Sequence, residues 1–403
     1  MVFRKRPLPD FFFSTGLTAL GFLVLNLVLQ AFTYPRWTEC LGNERAGDVL
    51  YLLALTDIAA VTLGTACSYA RMKESVAEDP GSGSYLVLQL LSSLLLLPLC
   101  FLFTLNRPEH EPSVLILYML VTLLRMFRYW GMVSYHLRRD YRGLFVYHLL
   151  ISLGFLLGAW LFEKTGLWPL SLLPGEAMAL ACRGYLWLRK REFFGHVRPS
   201  LILSALSLAL SYLLSNVFYN ADKLILMTFL GGESVTFFQL SAWGGRVMSL
   251  LSTAVDAVLI GYLVKKSGRL DMKLMRHISM LALAAFVLLG LVSTLGSMLW
   301  IRLRYAYNYD QVRSYFLLSN LAYVLYFITE VFTVVLLRYG RTRLQLLVNL
   351  VFLLGFVLCS LMTHFLQLQG FVLSFFLLNL IRCLLALALG FREARRDTKE
   401  GMA

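Results

Sequence analysis

Apolar residues run through this chain in long blocks, interrupted at intervals by short clusters of charge, proline or glycine. Twelve blocks can be marked off, at residues 11–34, 47–70, 84–105, 113–137, 143–163, 167–189, 200–228, 235–263, 274–301, 312–338, 343–366 and 370–391. Each reaches the ~20 residues that an α-helix needs to cross some 30 Å of hydrocarbon. Helices must do the crossing, because lipid leaves no water to satisfy backbone N–H and C=O groups. The pattern predicts an all-α, polytopic membrane protein with about 12 transmembrane helices. Two six-helix bundles, 1–192 and 193–403, would be joined by the basic linker RKREFFGHVRP at 189–199.

Composition sharpens this only slightly. The chain of 403 residues is 59% hydrophobic with mean hydropathy +0.70, outside the soluble globular range. The run at 11–34 is too long for the apolar core of a signal peptide and ends without a small-residue cleavage site, so a retained first span is expected. Cys40, Cys67, Cys100, Cys182, Cys359 and Cys383 are scattered, mostly inside apolar blocks, and have no metal-ligand spacing; they read as buried small hydrophobes.

Charge orients the spans. With the N-terminus inside, the inner segments hold 24 Lys and Arg, against seven in the outer loops: Arg36, Arg45, Arg107, Lys164, Arg302, Arg304 and Arg313. That asymmetry predicts both termini in the cytoplasm. The net charge of +14 then follows from topology and from contact with anionic membrane lipids, and no nucleic-acid partner is expected. Short loops leave no room for a soluble domain, and no paired carboxylates, Ser/His/Asp set or metal cluster stands out. A membrane enzyme of glycan assembly is therefore disfavoured, and neither a cofactor nor a metal is expected.

One short motif recurs. Leu41-Gly42-Asn43-Glu44 reappears as Leu230-Gly231-Gly232-Glu233, and each copy falls in the outer loop between the first two spans of a half. Such placement indicates a duplicated bundle. The glycines would end their helices in the left-handed conformation.

The stretch ADKLILMTFLGGESVTFFQLSAWGGRV resembles the polysaccharide (Wzx-type) flippase branch of the MOP (multidrug/oligosaccharidyl-lipid/polysaccharide) transporter superfamily. Asp222, Lys223, Leu230 and Gly231 match that branch's motif, while Phe237 or Phe238 stands where a Tyr is usual. In the first half, Gly42 and Gly47 fit its LGxxxYG element, with Ala46 in place of the Tyr. The resemblance implies a flippase working by alternating access. It would carry a polyprenyl-diphosphate-linked oligosaccharide from the cytoplasmic to the outer leaflet of a bacterial cell membrane, for export of surface polysaccharide. A polysaccharide polymerase and glycosyltransferases of the pathway would be its partners. Asp222, Lys223, Gly42 and Gly231 become an outer gate, with Asp222 pairing with a neighbouring bundle's cation and Lys223 snorkelling to the interface.

Polar residues inside the blocks lie on helical stripes. Arg125, Arg128 and Tyr129 mark the fourth span; Gln239, Trp243, Arg246 and Asp256 the eighth; Glu330 the tenth; Arg382 the twelfth; and Asp57 the second. Ionisable groups at this depth cost ~2.5 to 3.5 kcal/mol each and face a bundle interior or a wet cavity. Arg125, Arg128, Arg246 and Arg382, with Tyr129, Gln239 and Trp243, are the candidate substrate contacts, since guanidinium forks fit phosphate oxygens and aromatic faces suit sugars. Asp57, Asp256 and Glu330 are candidate ion-coupling sites. The same arginines could instead pair with Asp57, Glu176, Asp222, Asp256 or Glu330 and only fix helix packing. A multidrug antiporter of the same superfamily is the rival reading; its branch has a proline in the first helix, absent at 11–34, and Arg125 and Arg128 would repel a cationic drug.

Overall fold

A computed structural model describes residues 8–74, 82–105, 107, 110–138, 140–190, 199–250, 272–339 and 342–400. They are helical almost throughout, with no strand among the described residues. The chain packs as two compact units, Leu20–Leu224 and Met1–Ala19 with Ile225–Ala403.

Helix α1 (Leu8–Val28), which belongs to the first unit only from Leu20 onward, passes through a π-helical turn, Leu29–Thr33, into α2 (Tyr34–Thr56); a second π turn, Asp57–Val61, leads into α3 (Thr62–Glu74). Next come α4 (Ser82–Thr104), α5 (Pro112–Gly131), α6 (Val133–Arg138), α7 (Tyr141–Thr165), a 3₁₀ turn at Trp168–Ser171, α8 (Leu173–Lys190) and α9 (Pro199–Tyr219). Helix α9 lies beyond the 189–199 linker and packs on α3 within this unit. Its core joins Cys67, Ala70, Tyr85, Leu88 and Trp130 to Leu201 and Ala205 of α9.

α10 (Ala221–Leu230) crosses from the first unit into the second. There follow α11 (Gly232–Ser241), α12 (Trp243–Leu250), α13 (Met272–Arg304), α14 (Phe316–Tyr339) and α15 (Thr342–Glu400). Val324, Ile328, Phe332 and Val335 of α14 pack against Val348, Ala386 and Leu389 of α15 and Met275 of α13.

Eight described stretches are long and apolar enough to cross a membrane. Two of them, Gly16–Met72 with 57 residues and Leu350–Arg395 with 46, are more than double the ~20 residues required, and each is kinked at a single non-helical residue. In the first that residue is Gly42 (φ 79°, ψ 168°), and in the second it is Gln367 (φ 54°, ψ −142°). Gly231, the repeat partner of Gly42, has nearly the same backbone (φ 84°, ψ −177°).

The motif glycines therefore have positive φ, as expected, but not the left-handed helical conformation. Their extended ψ places them in a region open essentially to glycine alone. The left-handed cap occurs instead at Gly166 (φ 71°, ψ −2°), which closes α7. A Cβ at Gly42 or Gly231 would meet nothing within 4 Å, so backbone strain alone constrains these positions. Gly42→Ala and Gly231→Ala should each cost about 1–3 kcal/mol, whereas Gln367→Gly should stabilise by ~1 kcal/mol through relief of the same strain. Thermal unfolding in detergent reads all three, and a destabilising Gln367→Gly would contradict the assignment.

Span seven is not one straight helix. It breaks at Asn220 between α9 and α10, so Asp222 and Lys223 open a new helix rather than trailing off the end of a long one.

Candidate functional site

In the first unit the charges gather where α5 meets the second π turn and α8. A π turn adds one residue to the helical register and is found often at functional sites. This one is tied to α5: the Thr56 and Tyr118 hydroxyls lie 3.0 Å apart, and both reach the Leu52 carbonyl, at 3.0 and 3.1 Å. Asp57, the first residue of the turn, meets Arg125 Nη2 at 2.7 Å. One turn further along α5, Arg128 Nε meets Glu176 Oε2 of α8 at 3.2 Å. The Arg128 guanidinium also lies 4.9 Å from the Tyr129 ring centroid and 6.0 Å from that of Phe155. Gly64 lets α3 come this close, since a Cβ there would fall 2.4 Å from the Met126 carbonyl oxygen of α5.

In the second unit the eighth span breaks at Ala242, between α11 and α12. Two side chains from other helices take up the freed backbone groups. Asn320 of α14 accepts from Gly245 N (2.6 Å) and Ser297 Oγ (3.0 Å), and donates to the carbonyls of Ser241 (2.8 Å) and Phe316 (2.7 Å). Gly244 N donates to Ser297 Oγ of α13 at 2.8 Å. Broken helices at membrane depth persist when neighbours satisfy the backbone in this way. The Gly244-Gly245 pair is required sterically: added Cβ atoms would lie 2.3 Å from Ser293 O and 2.9 Å from Asn320 backbone.

Beyond the break, Arg246 is buried, its guanidinium 4.9 Å from the Tyr323 ring and 5.7 Å from that of Phe238. Arg382 Nη2 of α15 donates to Glu330 Oε1 of α14 at 2.8 Å, between the rings of Tyr326 (5.3 Å) and Phe352 (5.0 Å).

The two units use one plan with reversed polarity. The offset that carries Leu41 onto Leu230 also carries Leu52 onto Ser241, and the carbonyls of these two residues are bound by Tyr118 and Asn320 respectively. The same offset carries Asp57 onto Arg246. Ten residues after Tyr118 comes Arg128, bound to Glu176 of α8; ten residues after Asn320 comes Glu330, bound to Arg382 of α15.

The remaining sequence candidates are placed as follows. Gln239 is buried in α11, Tyr129 is half-buried, and Trp243 stacks on Trp300 with centroids 5.3 Å apart. Asp222 and Lys223 are both buried; Lys223 Nζ lies 3.0 Å from Asn220 Oδ1 and 3.8 Å from Asp222 Oδ1. Lys223 thus does not snorkel, because a cation next in sequence to a buried carboxylate is held locally. Asp256 lies outside the described residues. The sequence reading missed Asn320 and Ser297; the signal was the Gly244-Gly245 pair, which calls for close neighbours.

No protein-family model matches the sequence, and no curated protein is similar to it. Solved structures are similar. An inward-facing multidrug resistance MATE family transporter of the MOP superfamily superposes with TM-score 0.71, covering 94% of this chain and 96% of the other at 15% identity. The chain has the MATE fold. Its outward-facing counterpart matches with TM-score 0.65 at 14% identity over 96% of each chain, and the bent form of Vibrio cholerae VcmN with TM-score 0.62 at 13% identity over 96% and 98%. The MATE fold comprises twelve spans with an internal repeat, and the Gly42 and Gly231 turns, alike in backbone and 189 residues apart, fit such a repeat. These similarities lie in the MOP superfamily that the motifs resembled, and the solved structures are multidrug resistance transporters rather than polysaccharide flippases.

Proposed function

We propose that this chain is a transporter that moves a lipid with a phosphoryl head group, a polyprenyl-diphosphate-linked oligosaccharide, across a cell membrane by alternating access. One observation carries the choice of an anionic substrate. Three carboxylates deep in the spans, Asp57, Glu176 and Glu330, each lie within 3.2 Å of a guanidinium, while Arg246 occupies the repeat position of Asp57. An organic cation would find these carboxylates already neutralised by arginine. A diphosphate would find planar donors backed by aromatic faces, which suit bidentate recognition of phosphoryl oxygens. Half-buried Trp243 and Tyr129 are the sugar contacts of this reading. Membrane lipids surround the protein, and the polymerase and glycosyltransferases of the same pathway are its working partners.

The test is inward-to-outward translocation of a lipid-linked saccharide in reconstituted vesicles. Arg125→Ala combined with Arg246→Ala should lower the rate by at least about tenfold, equivalent to ~1.4 kcal/mol. Wild-type transport by a correctly folded double variant would remove the guanidinium role.

A second reading, export of organic cations, draws on the description of the structural neighbours as multidrug resistance transporters. Dye efflux from the same vesicles, with no saccharide movement, would favour it.

A further inference from the structure

In two of the deep ion pairs, one in each unit, the acid is the accessible partner. Asp57 and Glu330 are both 25% exposed at the side chain, whereas Arg125 is 10% and Arg382 5% exposed. Glu176, by contrast, is fully buried with Arg128. The exposed acids and the buried one therefore face different tasks, although all three hold an arginine.

We infer that Asp57 and Glu330 are specificity-determining residues: each covers the guanidinium that a phosphoryl head group needs, so only an anion able to displace a carboxylate gains access. The inference rests on the phosphoryl-lipid reading above. A guanidinium presents a planar fork of N–H donors that fits a carboxylate or a phosphoryl group equally well in geometry. The two ligands differ in total charge, since a diphosphate esterified at both ends carries one negative charge on each of its two phosphoryl groups, about −2 in all, and a carboxylate −1. A diphosphate thus outcompetes the resident acid, a fatty-acid carboxylate only matches it, and a neutral lipid cannot replace it. Discrimination of this kind works by an element that opposes the wrong partner.

Local structure suits Asp57 to this exchange. It is the first residue of the π turn, and shifting a helical register by one residue swings a side chain by roughly 100°. Asp57 can leave Arg125 through that shift while Arg128 and Glu176, on α5 and α8, keep their own contact.

The experiment measures binding to the full-length protein in lipid nanodiscs. Three probes are compared: a polyprenyl diphosphate, inorganic pyrophosphate, and a long-chain fatty acid as the monoanion. Asp57→Asn and Glu330→Gln should each tighten binding of both pyrophosphate-bearing probes by about tenfold and admit the fatty acid, which wild type excludes. Arg125→Ala should weaken both diphosphates. Tightening for the polyprenyl diphosphate alone would place recognition in the lipid and overturn the competition. Unchanged or weaker diphosphate binding by Asp57→Asn, at wild-type thermal stability, would overturn it as well. Should that variant not fold, Asp57→Ser and Glu330→Gln carry the same comparison. If wild type binds no phosphate probe at all, the phosphoryl-lipid reading falls, and the inference falls with it.

Discussion

Asn320→Ala is expected to destabilise the second unit by about 3–5 kcal/mol, measured as loss of thermal or denaturant stability in detergent. The side chain is fully buried and uses both its amide oxygen and its amide nitrogen twice. Truncation leaves Gly245 N–H and the Ser241 carbonyl unpaired at a helix break, each costing roughly 1–3 kcal/mol in a site closed to water. Water cannot easily replace the amide, since the neighbouring glycines bring the backbones into contact. Ser297→Ala removes one donor to Asn320 and the acceptor for Gly244 N–H, so it should cost less than half as much. A larger loss for Ser297→Ala than for Asn320→Ala would show that the break is held mainly from α13.

The second large effect belongs to Glu176. Glu176→Ala leaves Arg128 as a buried cation without its carboxylate, an arrangement that costs about 3–5 kcal/mol. Replacing both, as Arg128→Met with Glu176→Leu, should recover most of that loss, because a buried ion pair gains little over apolar side chains of similar volume. The second unit suggests a sharper comparison. There the middle helix carries the acid, Glu330, and the last helix the arginine, Arg382. Exchanging the first unit's pair, Arg128→Glu with Glu176→Arg, should therefore be tolerated better than either single change. Melting temperatures of the four proteins decide it; a swap no better than the single variants would mean that the Tyr129 and Phe155 rings fix the guanidinium in place.

Much of the fold is legible in the chain because lipid is a demanding solvent. A run such as 143–163 has few alternatives to a helix, and the structure places α7 there at Tyr141–Thr165. The LGxE repeat likewise marked two equivalent turns, and Gly42 and Gly231 share an unusual backbone conformation. Their ψ was not readable, since several helix endings accept a glycine with positive φ. Nor was the kink at Gln367, where a non-glycine residue holds a strained conformation that no local signal announces.

The candidate site divides along the same line. Helical spacing placed Arg125 and Arg128 on one helix and identified Asp57, Glu176 and Glu330 as available partners. It could not say which acid meets which arginine, because each pairing joins elements that are distant in the chain. Periodicity also hid the breaks at Asn220 and Ala242, since a helix interrupted by one turn keeps its apolar pattern on both sides. By itself, then, the sequence determined that the chain spans a membrane many times, that one motif recurs in its two halves, and which ionisable groups fall inside apolar blocks. Tertiary structure alone decided that the acids neutralise the arginines, that Asn320 and Ser297 hold the broken helix, and that Asp57 and Glu330 are the accessible partners. The reason is physical: hydrophobic length is a property of one segment, whereas ion pairing and backbone satisfaction depend on the distance between several.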